Sequence, residues 1–197
     1  MGSTFIVVLA WLVVLALWGA AVYNRLRLLR NRVENAWSQI DVQLKRRHDL
    51  IPNLVEVARG YMQHEASTLE AVARARSQAV QASEALRGHT GQAQALGALA
   101  AAEQALGSSL GRLMVVAEAY PELKADAQMQ SLSEEIASTE NRIGFARQAY
   151  NDEVMAFNNK ASQFPDLIWA RLLGFAHMDM LQSTMNAQER QAPSVRF

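Results

Sequence analysis

The N-terminal apolar segment constrains this chain more than any other feature. Nineteen residues without a charge run from Phe5 to Tyr23, and a cluster of arginines follows directly. A helix of that length measures roughly 28 Å, close to the hydrocarbon thickness of a bilayer of about 30 Å. Residues 1–24 are therefore predicted to form a helix that spans a membrane once and anchors the protein.

A cleaved signal peptide is the alternative interpretation of this segment. Signal peptides begin with basic residues and have a shorter apolar core. The first residues, Met1 to Thr4, carry no basic side chain, and the apolar run continues past the small residues Gly19 to Ala21. We therefore favour a retained signal-anchor.

Basic residues next to the apolar segment predict its orientation. Between Arg25 and Arg47 there are seven basic side chains and only two acidic ones, Glu34 and Asp41. Such an excess of Lys and Arg marks the cytoplasmic side of a membrane. The N-terminus is therefore expected outside and the rest of the chain in the cytoplasm. The residues predicted at the membrane interface are Tyr23, Arg25, Arg27, Arg30 and Arg32.

Composition limits what the remaining residues can do. About 170 residues are enough for one domain with a hydrophobic core. The formal net charge is zero, with nineteen charges of each sign, so no nucleic-acid partner is expected. The absence of cysteine excludes disulfides and thiolate chemistry. Long stretches rich in Ala, Leu and Gln favour helix throughout.

Apolar residues at alternating spacings of four and three predict packed helices. The pattern runs from Val33 to Tyr61 and recurs in later segments that end at Pro121 and Pro165. This geometry favours antiparallel packing at about 20°. Residues 25–181 are therefore predicted to form an all-α, coiled-coil-like four-helix bundle. Within its first helix, Pro52 is expected to cause a kink near His48 rather than a stop.

Several breaks and one apolar segment complete the predicted organisation. A continuous helix from Val33 to Leu86 would be roughly 80 Å long, much longer than the later helices. A break is therefore favoured between Gly60 and Ser67, with Ser67 and Glu70 as a capping box that starts the next helix. The clearest turn covers residues 88–91, and the polar tail 182–197 is expected to be disordered.

Residues 166–175, which follow Pro165, are apolar around most of a helix circumference. Such a helix must be covered by something. It either closes the bundle as a short helix or forms an element that docks on a membrane surface or a partner. The sequence favours the first alternative and leaves the second open.

No pattern of catalytic or metal-binding residues is visible. A di-iron site in a helical bundle needs Glu-x-x-His motifs, and none of the four histidines has Glu three residues before it. His64 and Glu65 lack the second histidine of a zinc protease motif, because Thr68 occupies its place. The chain is therefore expected to be non-enzymatic, without a cofactor, a metal or a small-molecule substrate.

Polar residues interrupt the apolar pattern of the first and last long helices. Asn and Asp are mediocre helix formers, so their density inside a helix suggests specific hydrogen bonds. They form either a buried polar layer that fixes helix register or a groove that recognises a peptide or partner helix. Asp41 and Arg47 are expected partners for the polar residues of the last helix. The candidate residues are Asp41, Arg47, Asn53, Asn141, Arg142, Tyr150, Asn151, Asp152 and Asn158.

Three segments resemble the signatures of the LemA family of bacterial membrane proteins. They cover residues 31–55, 117–124 and 139–152, and with Asn158, Phe164-Pro165 and Gly174-Phe175 the resemblance extends from about Tyr23 to Phe175. The resemblance implies a membrane anchor and a soluble helical bundle at the bacterial cytoplasmic membrane. It implies no catalytic activity or cofactor, and one relative is found among proteins of the magnetosome, a membrane organelle.

The sequence thus favours a membrane-tethered scaffold or adaptor that binds the bilayer and associates with itself or with another protein. The alternative is a signalling or stress-response module that transmits a conformational change from the membrane through the kink at Pro52 to a partner. A scaffold needs one conformation of the bundle, whereas a signalling module needs two.

Overall fold

The computed structural model describes residues 2–86 and 92–181, and the described residues contain helices but no strand. The all-α class is therefore confirmed. The described residues form six helices: four long ones, of which the first includes the apolar segment, the short helix expected after Pro165, and an unexpected short helix before the last long one. The predicted turn at 88–91 and the tail 182–197 lie outside the described residues. The helices are α1 (Gly2–Tyr61), α2 (Ala66–Leu86), α3 (Ala93–Ala117), α4 (Pro121–Ala125), α5 (Ala127–Ser162) and α6 (Asp166–Leu172).

Helix α1 joins the apolar segment to the rest of the protein without a break. Its 60 residues give a length of about 90 Å. It is the helix among the described residues that is long and apolar enough to cross a membrane, a criterion of length and composition. The large apolar side chains between Phe5 and Leu17 point away from the protein and are exposed.

Helix α5 packs antiparallel to the second half of α1. At one end the Tyr61 hydroxyl donates a hydrogen bond to Asp126, the residue before α5 (3.0 Å). Further along, the rings of Trp37 and Tyr150 meet edge to face with centroids 6.1 Å apart. Pairs of this kind add about 0.5–1.5 kcal/mol to the burial of the rings themselves.

Helices α2 and α3 form a second hairpin, and α2 lies on α1. Ser83 of α2 donates a hydrogen bond to Asp41 (3.2 Å), while Arg76 reaches the carbonyl of His48 (2.6 Å), so α2 runs antiparallel to α1. Helix α2 ends at Leu86, only three residues beyond Ser83. The stretch of α1 between Tyr23 and Trp37 therefore lies beyond the end of α2.

Two apolar cores are separated by a polar layer at Arg47 and His48. The residues on either side are buried because they occupy the inward positions of the seams, and each such side chain contributes about 1.5–3 kcal/mol. The first core includes Leu26, Val33, Ile40, Leu44, Leu99, Ile143, Val154 and Phe157. The second core includes Ile51, Leu54, Val72, Leu106, Leu113 and Ile136.

The predicted break between the first two long helices is confirmed, because α1 ends at Tyr61 and α2 begins at Ala66. The capping box is wrong, since Ser67 lies inside the first turn of α2 and not before it. Helix α2 begins before Ser67, because the amides of Thr68 and Leu69 already donate to the carbonyl of Glu65 (3.0 and 3.2 Å). Glu65 is thus the residue from which α2 starts.

Pro52 lies inside α1 without ending it. Because proline has no N–H, the His48 carbonyl four residues earlier loses its helical donor. The Nε atom of Arg76 donates to this carbonyl at 2.6 Å. Proline therefore leaves an acceptor that α2 uses to bind α1.

Replacing Arg76 should destabilise the protein because the His48 carbonyl then lacks a donor in a half-buried position. We expect Arg76→Met to lower the free energy of unfolding by about 1–3 kcal/mol. In a Pro52→Ala background the restored N–H bonds the carbonyl instead, so the same change should cost clearly less. Denaturant unfolding of the full-length protein in detergent measures this coupling as a double-mutant cycle.

Arg74→Met is the matched control, since Arg74 is exposed and pairs with Glu70 of its own helix (3.3 Å). Its effect should stay below about 0.5 kcal/mol. Equal costs of Arg76→Met with and without Pro52 would contradict the assigned role of the carbonyl.

Candidate functional site

The chain leaves α6 through a glycine and then runs back along the helices. Gly174 has a positive φ of 74°, a conformation that glycine adopts without steric cost. The Phe175 amide donates to the Ala170 carbonyl (2.9 Å), which gives α6 the hydrogen bond of a Schellman C-terminus. We call residues 173–181, which comprise this turn and the segment after it, the strap.

Two asparagines of α5 hold the strap by its main chain. Asn158 donates to the Met178 carbonyl (2.8 Å) and accepts from the Met178 amide (3.0 Å). Asn151 makes the same pair of hydrogen bonds with Leu181, both at 2.8 Å. An amide side chain can do this because it carries a donor and an acceptor side by side.

The spacing of the two asparagines fits an extended peptide. Seven residues of helix between Asn151 and Asn158 rise about 10.5 Å. Three residues of extended chain between Met178 and Leu181 span about 10 Å. The two asparagine side chains and the strap are thus in register, so both asparagines bind main-chain atoms of the strap at once.

Apolar side chains of the strap lie in a groove between α1 and α5, where Met178 and Leu181 are buried while most of the strap stays exposed. Met178 and Leu181 join the first core, and the Phe175 ring lies 5.8 Å from Tyr23 and 6.2 Å from Phe157, between ring centroids. The strap therefore covers part of α1 that α2 does not reach.

The polar atoms of the strap also bind other elements. The Tyr150 hydroxyl lies 3.4 Å from the Asp179 carbonyl, and the carboxylate of Asp179 accepts from the amide of Ala93 at the start of α3 (3.1 Å). Burial, together with the nearby charge of Asp179, raises the pKa of Tyr150 to about 12. The Tyr150 hydroxyl is therefore protonated at physiological pH. Through the contacts of Asp179 with Tyr150 and Ala93, the strap connects α5 with α3.

The polar layer between the two cores consists of charged side chains that pair with one another, although the buried Nε atom of Arg47 has no hydrogen-bond partner among the described residues. Arg47 and Glu103, whose side chains are each 3% exposed, form an ion pair of 3.2 Å. Arg47 also binds Glu140 of α5 (2.9 Å), and His48 Nε2 lies 2.7 Å from Glu103. Removing one partner of such a buried pair typically costs about 3–5 kcal/mol, and the contacts of Arg47 join α1 to both α3 and α5.

The polar layer contains one acid–base pair, formed by the buried side chains of His48 and Glu103. Among residues 2–86 and 92–181 there is no group of three or more acidic or histidine side chains that could hold a metal.

The structure brings only some of the sequence candidates together. Arg47 lies in the polar layer, and Tyr150, Asn151 and Asn158 line the groove. Asp41 accepts a hydrogen bond from Ser83 of α2 in the contact that orients α2, and its expected contact with the last long helix stays a prediction. The remaining candidates are exposed: Asn53, Asn141, Arg142 and Asp152, and likewise the interface residues Tyr23, Arg25, Arg27, Arg30 and Arg32.

Sequence reasoning missed Glu103, Arg76 and the strap. Glu103 occupies a seam position of α3, and a charge at such a position is a signal for a buried partner. Pro52 pointed to a freed carbonyl but not to its donor. The strap gave no signal, because main-chain recognition leaves no mark in the side chains.

These features define a class: an all-helical protein whose apolar N-terminal helix continues into a helical body. The model of the LemA family matches residues 36–197, and the chain belongs to the LemA family. The match extends past Phe175, where the sequence resemblance ended, and includes the strap.

Three magnetosome proteins align with most of this chain. Magnetosome protein MamQ 2 and magnetosome protein MamQ 1 of Paramagnetospirillum magneticum are each 26% identical over 175 residues, covering 81% of this chain and 64% of the relative. Magnetosome protein MamQ of Magnetospirillum gryphiswaldense is 24% identical over 172 residues, covering 80% and 63%. The chain thus spans less than two thirds of the length of these relatives.

Replacing Asn158 by Ala should release the strap near Met178, because two hydrogen bonds of about 1 kcal/mol each are lost. Hydrogen–deuterium exchange of the full-length protein should show faster exchange in a peptide covering 173–181. Asn159→Ala is the matched control, since the Asn159 side chain is exposed. Unchanged exchange in Asn158→Ala would show that the asparagine does not hold the strap.

Proposed function

We propose that this protein is a non-enzymatic, membrane-tethered scaffold or adaptor that binds an extended protein segment in the groove lined by Asn151 and Asn158. The observation that carries the proposal is the pair of amide side chains that bind main-chain atoms two helical turns apart. Around this groove, α1, α2, α3 and α5 act as a four-helix bundle with α4 and α6 at its ends.

Recognition of a main chain is a common mode of peptide binding. Main-chain hydrogen bonds supply affinity and pockets for alternate side chains supply specificity. Here the groove takes the main chain of Met178 and Leu181 and also buries both side chains. The strap of a second copy offers the same contacts, so exchange between copies loses no interactions at the groove, which supports self-association.

The apolar helix supports the tether. Confinement to a membrane raises the effective concentration of the groove, so weak contacts between copies become sufficient. The arginines after Tyr23 favour a cytoplasmic body and an N-terminus outside the bacterial inner membrane. The similarity to magnetosome proteins supports a location at a membrane. Cleavage of the body by protease added to intact spheroplasts would contradict this orientation.

A signalling or stress-response module is the second candidate. It is favoured by one observation: α1 continues from the apolar segment into the polar layer without interruption, so a movement of the segment reaches Arg47 and His48 through one helix. This function requires two conformations of the helical body, whereas the scaffold requires one.

The mass of the full-length protein in detergent tests self-association through the strap. We expect light scattering to give a multiple of the 21.8 kDa chain. The double variant Asn151→Ala/Asn158→Ala should shift toward the mass of one chain, while Asn159→Ala should not. Circular dichroism confirms that each variant keeps its helix content.

A wild-type mass of one chain would contradict self-association. The adaptor role is then tested in cells by a photo-crosslinking residue at Met180, an exposed position of the strap. If no protein is captured there, the proposed function fails.

A further inference from the structure

Helix α6 lies directly on the apolar part of α1. The rings of Trp169 and Trp18 meet edge to face with centroids 6.4 Å apart. A Cβ atom at Gly19 would lie 2.9 Å from the Trp169 ring, so the indole rests on the bare backbone of α1. The glycine therefore makes this close approach possible.

The contact places α6 at a defined position along the axis of α1, beside the apolar segment. Gly19 lies four residues before Tyr23, the last residue of the segment, which corresponds to about 6 Å of helix. Trp169 is therefore level with side chains that belong to the segment itself. When the segment spans a bilayer, α6 lies at the edge of the hydrocarbon region.

The outward face of α6 is apolar. Ile168 and Leu172 lie one helical turn apart on α6 and are 58% and 73% exposed, and Phe164, in the turn just before α6, is 81% exposed. The opposite face is covered, since Ala170 is buried. Contiguous exposed apolar side chains of this size mark a binding surface.

The charged side chains of α6 are placed so that its outward face can contact lipid. Its acidic residue, Asp166, is buried and pairs with Lys160 (2.5 Å), so it presents no carboxylate to the outside. Its basic residue, Arg171, is exposed, and a long side chain of this kind can extend toward lipid head groups while its stem stays apolar.

We propose that α6 inserts its outward face, formed by Ile168 and Leu172, into the adjacent leaflet of the bilayer as a second membrane contact, with the Phe164 side chain of the preceding turn beside it. This inference rests on the proposed membrane tether. The occupant is lipid because Trp169 holds α6 against the apolar segment, where acyl chains surround it. Two contacts fix the rotation of α1 and place the start of the strap at the membrane surface.

Spin labels test this insertion in the full-length protein. The chain has no cysteine, so Leu172→Cys provides a single labelling site. The protein is reconstituted in vesicles of phosphatidylethanolamine and phosphatidylglycerol, and accessibility to oxygen and to a water-soluble nickel chelate is measured. Val13→Cys reports the apolar segment, and Val115→Cys reports an exposed site near the end of α3.

We expect the label at Leu172 to be accessible to oxygen and shielded from nickel, as at Val13 and opposite to Val115. Ile168→Cys should agree, and it serves as the second site if the first variant does not fold. A nickel-accessible label at both α6 sites, with a shielded Val13, overturns the insertion and leaves the tether intact. Shielding of the α6 sites from both reagents also overturns it, because protein then covers the face. A nickel-accessible Val13 overturns the tether and the insertion together.

Discussion

The continuity of α1 is the constraint on which the rest of this structure depends. One helix carries the apolar segment and one half of the long antiparallel pair with α5. Each later element therefore has a defined position along the axis of α1. Helix α6 contacts α1 at Gly19, and the strap contacts it at Tyr23. The polar layer lies at Arg47, about 36 Å beyond Tyr23. A break in α1 would separate the tether from the groove.

The strap is a consequence of unequal helix lengths. Helix α2 covers α1 from the turn at Tyr61, past the polar layer, to about Asp41, where it ends. The first core would remain open beyond that point without another element. An extended segment fills the gap because Asn151 and Asn158 satisfy its main-chain hydrogen bonds, which a purely apolar groove would leave unpaired. The same polar groups that complete the core make the groove specific for an extended chain.

The sequence predicted what depends on local pattern and missed what depends on distant partners. Periodicity gave the helices, helix length gave the break before Ala66, and the low helix propensity of Asn marked Asn151 and Asn158. It did not give their partner, because main-chain atoms of a strap have no sequence pattern. The polar residues lie in two places, Arg47 in a buried ion-pair layer and the asparagines along the strap, so register and recognition stay predictions for different residues. Likewise, α6 both closes the body through Ala170 and exposes an apolar face through Leu172.

The distance between Val14 and Val42 tests the continuity of α1 most directly. Both side chains are exposed, and spin labels at these two positions lie twenty-eight residues apart, about 42 Å along one helix. The labelled protein is diluted with unlabelled protein in thin and in thick bilayers, so that only distances within one chain are measured. We predict one narrow distribution near this distance in both bilayers. A broad distribution, or one that shifts with bilayer thickness, would contradict a rigid connection between membrane and groove and favour a hinged signalling module.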